Sequence, residues 1–148
     1  MRSGMWIAVA AALGAAGCNE SMTSSDPDEM RTALDGARDE VDEHVAAVTE
    51  ADSLVAVRDE AGRHQRAMDD VMGMMGSAID DMPHCMGRGT GALRDLHESM
   101  GGEMVHHGAA LERAESLDAA ATEVTRHAGA LDGVLGDMEE ASGEMRCM

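Results

Sequence analysis

The chain has 148 residues, 44% hydrophobic and 27% charged, with a net charge of −18, which allows one compact core and excludes a large multidomain enzyme. Its 29 acidic residues stand against 11 basic ones, so nucleic acid is excluded as a partner by the repulsive field of the whole surface. Phe and Tyr are absent while Met occurs 15 times, so a core must be built from Ala, Val, Leu and Met, which points away from a β-sandwich and towards helices.

Residues 1–17 read as a processing segment. Arg2 supplies a positive start, and Trp6 to Ala16 form a run of small apolar residues shorter than the about 20 needed to span a bilayer. Ala15-Ala16-Gly17-Cys18 then offers a small-residue cleavage site. This segment resembles the lipobox of bacterial lipoproteins. The resemblance implies that Cys18 is the lipidated first residue of the mature chain and that a membrane is its partner through that lipid. It also implies, from Asn19, a place at the outer membrane facing the periplasm. Residues 18–26 are polar and aperiodic, a flexible tether.

From Pro27 onward the apolar residues recur at alternating steps of three and four, the period of a helix with one buried face. The first stripe is Met30, Leu34, Ala37, Val41, His44, Val48 and Ala51, predicting a helix over 27–51. Ser53 is placed to N-cap a second helix over 54–81, with the stripe Leu54, Val57, Ala61, His64, Met68, Val71 and Met75. Pro83 and the glycines at 87, 89 and 91 break the chain. A third helix over 91–114 carries Leu93, His97, Met100, Met104, His107, Leu111 and Ala114. Ser116 caps a fourth over 117–144, with Leu117, Ala120, Val124, His127, Leu131, Val134 and Met138.

The two halves are copies of one another. At an offset of 63, residues 44–75 and 107–138 are identical at fifteen of 32 positions, including His44/His107, Ser53/Ser116, Glu60/Glu123, Arg63/Arg126 and His64/His127, with Glu40/Glu103 just upstream. Each copy is an αα-hairpin, and four apolar stripes can be buried only against one another. The expected fold is all-α, an up-down-up-down four-helix bundle over 27–148, built from hairpins 27–82 and 91–145.

Four histidines occupy core stripe positions, where each ring nitrogen needs a partner. His44 lies nine residues before Ser53 and His64 eleven after it, so in a folded hairpin they differ by about 3 Å in height at a rise of about 1.5 Å per residue. The repeat places His107 and His127 alike, predicting one layer with an inward imidazole from every helix. Glu40, Glu60, Glu103 and Glu123 each precede one of these histidines by four residues, about one helical turn. Four imidazoles and four carboxylates are the parts of a transition-metal site for Zn, Cu, Ni, Co or Fe. The carboxylates either ligate the ion or hold the outer ring nitrogens. The set is loosely similar to ferritin-like di-iron bundles, which use Glu-x-x-His where this chain has Glu-x-x-x-His. Without a metal, the same residues read as a hydrogen-bonded or pH-sensitive layer. Haem has no support, since Cys-x-x-Cys-His does not occur.

Most methionines stand at core spacing and read as filler. With Cys18 assigned to the lipid, Cys85 and Cys147 remain. They follow the second and fourth helices at nearly equivalent points, so a Cys85–Cys147 disulfide is expected in an exported protein. The competing reading is a Cu(I) site of Cys85, Cys147, Met82, Met86 and His84. His97, off the repeat, and His106, off the stripe, are weak auxiliary ligands. No phosphate loop, nucleophile elbow or catalytic triad stands out. The sequence thus reads as a lipid-anchored, extracytoplasmic protein that sequesters, buffers or senses a transition metal rather than turning over a substrate. The alternatives are a metal-free structural or interaction lipoprotein of the envelope and a di-metal oxidoreductase.

Overall fold

Serine hydroxyls set the two hairpin turns. In the computed structural model, which describes residues 27–82, 85–86, 89–143 and 146–147, the Ser53 hydroxyl accepts from the Ala56 amide and that of Ser116 from the Ala119 amide. Each satisfies one of the amides left open at a helix start. The helices are α1 (Pro27–Glu50), α2 (Leu54–Asp80), α3 (Gly89–Arg113) and α4 (Leu117–Gly143), and α2 and α4 are both 27 residues long. α3 begins two residues before the expected position, at Gly89.

The helices pack in a ring, α1 against α2 and α4, α3 against α2 and α4, which is the expected up-down-up-down four-helix bundle. Its interior divides in two. Val48, Val57, Leu111, Ala114, Ala120 and Val124 form a small-residue core at the turn end. Met30, Met68, Met75, Met100, Met104 and Met138, with Leu34, Leu93, Leu131 and Leu135, fill the larger core at the opposite end. These methionines are buried filler, as the stripe pattern implies. Some stripe expectations differ from the fold: Leu117 is exposed, Leu135 rather than Val134 takes the core position of α4, and Ala51, Leu54, Ala61 and His97 are only partly buried. A straight helix turns every 3.6 residues, so a strict three-four alternation drifts off the buried face.

Beyond the helices, β1 (Cys85–Met86) pairs antiparallel with β2 (Arg146–Cys147), with Cys85 directly opposite Cys147. The sulfur atoms of the expected disulfide lie outside the described side chains. So do His84 and Met86 of the alternative Cu(I) site, and so do Cys18, the signal segment and the tether within residues 1–26.

Candidate metal centre

Between the two apolar cores lie four histidines that are almost wholly buried: His44 on α1, His64 on α2, His107 on α3 and His127 on α4. Val41, Met68, Met104 and Leu131 close the layer on one side, and Val48, Leu111 and Val124 on the other, so water is kept out. The rings form two stacks, one per hairpin. His44 and His64 lie face to face with centroids 4.0 Å apart, and His107 and His127 at 3.7 Å. The stacks meet edge to face, with interplanar angles of 88–90°.

Every outer ring nitrogen is held by a carboxylate. The Nδ1–H of His44 donates to Glu60 at 3.0 Å, that of His64 to Glu40 at 2.8 Å, that of His107 to Glu123 at 3.2 Å and that of His127 to Glu103 at 2.8 Å. The pairing crosses the hairpin instead of following one helix, which corrects the expectation of a glutamate serving the histidine one turn later. Glu40 stands thirteen residues before Ser53 and His64 eleven after, a height difference of about 3 Å, whereas Glu40 and His44 are separated by about 6 Å along their own helix. The antiparallel neighbour is nearer. The glutamates therefore lie behind the rings and hold the outer nitrogens, away from the inner Nε2 atoms.

Two arginines close this outer ring. Arg63 binds Glu60 at 2.7 Å and Glu40 at 3.0 Å, and Arg126 binds Glu123 at 2.7 Å and Glu103 at 2.6 Å. Their role was not read from the sequence, although the match of Arg63 with Arg126 across the repeat was the available signal. Burial first, and then the charge of His44 and His127, pushes His64 down to about 3. Burial and the neighbouring His127 push His107 to about 3 as well. His44 and His127 are lowered too, by burial above all. The hydrogen bond from Arg126 holds the Glu123 carboxyl at about 2. For Glu60 and Glu103, burial opposes ionisation but is outweighed by hydrogen bonds from the arginine and the histidine, so both are lowered.

Neutral rings beside ionised carboxylates fix the tautomer. Each imidazole carries its proton on Nδ1, an assignment that follows from the hydrogen-bond network. Each Nε2 is then a bare lone pair, and all four point inward. Across the bundle diagonals, Nε2 of His44 lies 3.1 Å from Nε2 of His107, and Nε2 of His64 lies 3.4 Å from Nε2 of His127. At such a separation two lone pairs repel unless a positive centre lies between them. The surroundings carry the charge for one, because four carboxylates against two guanidiniums leave −2 around the layer. A tetrahedral zinc bound at 2.0–2.1 Å sets its nitrogens about 3.3 Å apart, which the two close couples already approach. No three of the four histidines bring ring nitrogens within 4.8 Å of one another, so capture of a single ion also requires the two couples to draw together.

The chain thus has a His/Glu cluster that could hold a metal ion. Glu103, His106 and Glu123 also offer ligand atoms within 4.8 Å of one another, at the edge of the layer. His106 is exposed, as its place off the stripe implies. His97 is half-buried and donates from Nε2 to the Met72 carbonyl at 2.9 Å, which spends that nitrogen on the backbone. Comparison with protein families, with curated proteins and with solved structures yields no match.

Proposed function

We propose that this chain is a lipid-anchored protein of the cell envelope that holds one divalent transition-metal ion in its histidine layer, for sequestration, buffering or sensing. The observation that carries this reading is the pair of buried Nε2 couples, at 3.1 and 3.4 Å, inside a shell of charge −2. Protons could relieve one lone-pair clash each, but burial opposes an imidazolium there. One divalent ion would neutralise the shell and, once the two couples draw together around it, give all four nitrogens a positive centre. Glu40, Glu60, Glu103 and Glu123 then act as the second layer of the site, fixing tautomer and ring orientation. These carboxylates sit on the outer Nδ1 atoms and not among the inner Nε2 atoms, so none is placed to bridge two ions inside the layer, which weighs against the di-metal oxidoreductase reading. The anchor and the periplasmic location rest on Arg2, Trp6 to Ala16 and Cys18. Among the described residues no helix is long and apolar enough to cross a membrane.

A second reading has its own support. The Nε2 couples stand at hydrogen-bond distance, and each could share one proton in a metal-free structural layer. Metal content of the tag-free chain, after exposure to Zn, Cu or Ni and exhaustive dialysis, separates the two. One ion per chain, lost in the His64→Ala, His127→Ala double variant, is expected. A chain that retains no ion would leave the structural reading in place.

A further inference from the structure

The two hairpins match closely in the layer but differ where its outer ring reaches solvent. Glu43 of α1 stands at the offset position of His106 of α3. Around Arg63 the third group is therefore a carboxylate, 3.9 Å from the guanidinium. Around Arg126 it is an imidazole, with His106 Nδ1 at 3.2 Å. An arginine only donates, so His106 Nδ1 must accept, and its lone pair points at the guanidinium. The same Nη2 atom touches Glu103 Oε1 at 2.6 Å and Glu123 Oε1 at 2.7 Å. Glu103, His106 and Glu123 thus surround one cationic nitrogen with two oxygens and a ring nitrogen, the donor set of a borderline divalent ion. Among the described residues no other trio of His, Cys, Asp or Glu gathers its ligand atoms as closely, so Glu40, Glu43 and Glu60 do not form an equivalent set.

We propose that Glu103, His106 and Glu123 form a surface acceptor site through which a divalent transition-metal ion reaches the histidine layer, with Arg126 as its displaceable plug. The inference rests on the metal-binding reading above. Arg126 has a side chain 40% exposed and can swing into solvent when an ion takes its place. The acceptor site is coupled to the core through shared atoms. Glu103 Oε1 also receives His127 Nδ1–H, and Glu123 Oε1 also receives His107 Nδ1–H. An ion that draws these oxygens towards itself weakens both hydrogen bonds and frees the two rings of α3 and α4 to turn towards it. Hairpin α1–α2 has no counterpart and stays closed, so loading is one-sided in a bundle that is otherwise nearly two-fold.

The test is stopped-flow loading of the full chain with Co(II), followed by its visible absorption, beside an equilibrium titration with Zn(II). His106→Ala is expected to slow loading by about tenfold, the scale on which groups behind the ligands act, while the affinity of the layer is retained. Glu43→Ala is expected to leave the rate unchanged. Glu43→His, which gives hairpin α1–α2 the missing donor, is expected to raise it. An unchanged rate in His106→Ala, with the affinity intact, would overturn the acceptor site and leave the histidine layer as the metal centre. Failure of the unaltered chain to take up either ion would overturn the metal-binding reading and this inference with it.

Discussion

Arg63 and Arg126 touch no imidazole in the layer, yet they set its electrostatics. Each guanidinium neutralises one of the two carboxylates behind a histidine stack and opposes protonation of the rings beyond. Replacing Arg63 by Met should therefore raise the pKa of His44 and His64, because Glu40 and Glu60 would then act on them uncompensated. Histidine chemical shifts across a pH series would show this as an upward movement of those two titrations with little change at His107. The same variant loses its hydrogen bonds to both carboxylates and should be less stable by about 1–3 kcal/mol in urea unfolding. Glu40, Glu60 and the histidines were legible as candidates because polar residues on an apolar stripe stand out. The arginines were not, since an exposed cation next to acidic residues looks like any solvated surface pair. Only the side-chain geometry reveals that each one bridges two helices.

At the scale of the helices and their ends, the bundle was legible from period, caps and repeat, because stripes at helical spacing admit few ways of being buried. The crossing of Glu–His pairs between helices was within reach of the same turn-centred heights that aligned His44 with His64. Spacing along one helix points instead to the residue four positions away, which lies about twice as far along the axis as the antiparallel neighbour. Leu117 and Val134 depart from expectation because a heptad count does not register the slow drift of a real helix or the exposed end of a stripe. The strand pairing supports one element-level prediction. Directly opposed residues of an antiparallel ladder have Cα atoms about 4.5–5.5 Å apart, inside the range that a disulfide spans. With Cys85 opposite Cys147, the chain purified from an oxidising compartment should carry no free thiol at these positions. Closing a loop of that length should add about 4 kcal/mol to stability. Thiol titration with and without reductant, and thermal unfolding of Cys85→Ser, check both statements; a free thiol at either position in the oxidised chain would contradict them.

For the molecule as a whole, two apolar cores enclose a polar layer, so the stability of the fold responds to pH through its histidines. His64 and His107 are held at about 3 in the folded chain against an ordinary value of 6.5. Between those values the unfolded chain takes up protons that the folded chain refuses. Stability is thus complete above about pH 6.5 and declines on acidification, by about 1.4 kcal/mol per pH unit for each histidine kept neutral. Below about pH 4.5 the depressed Glu123 adds to the loss, since its ionised form is what the fold stabilises. Chemical unfolding of the metal-free chain at a series of pH values should show this decline; a flat profile from pH 7 to 4 would mean that the folded rings take up protons as readily as those of the unfolded chain. Because a proton and a metal ion compete for the same Nε2 lone pairs, a bound ion should be released over the same interval.

The most direct measurement is X-ray absorption of the tag-free chain loaded with one equivalent of Zn(II). One ion per chain is expected, in a shell of four imidazole nitrogens at about 2.0 Å that is lost in the His64→Ala, His127→Ala variant. A shell dominated by oxygen, or one that survives loss of those two histidines, would contradict it.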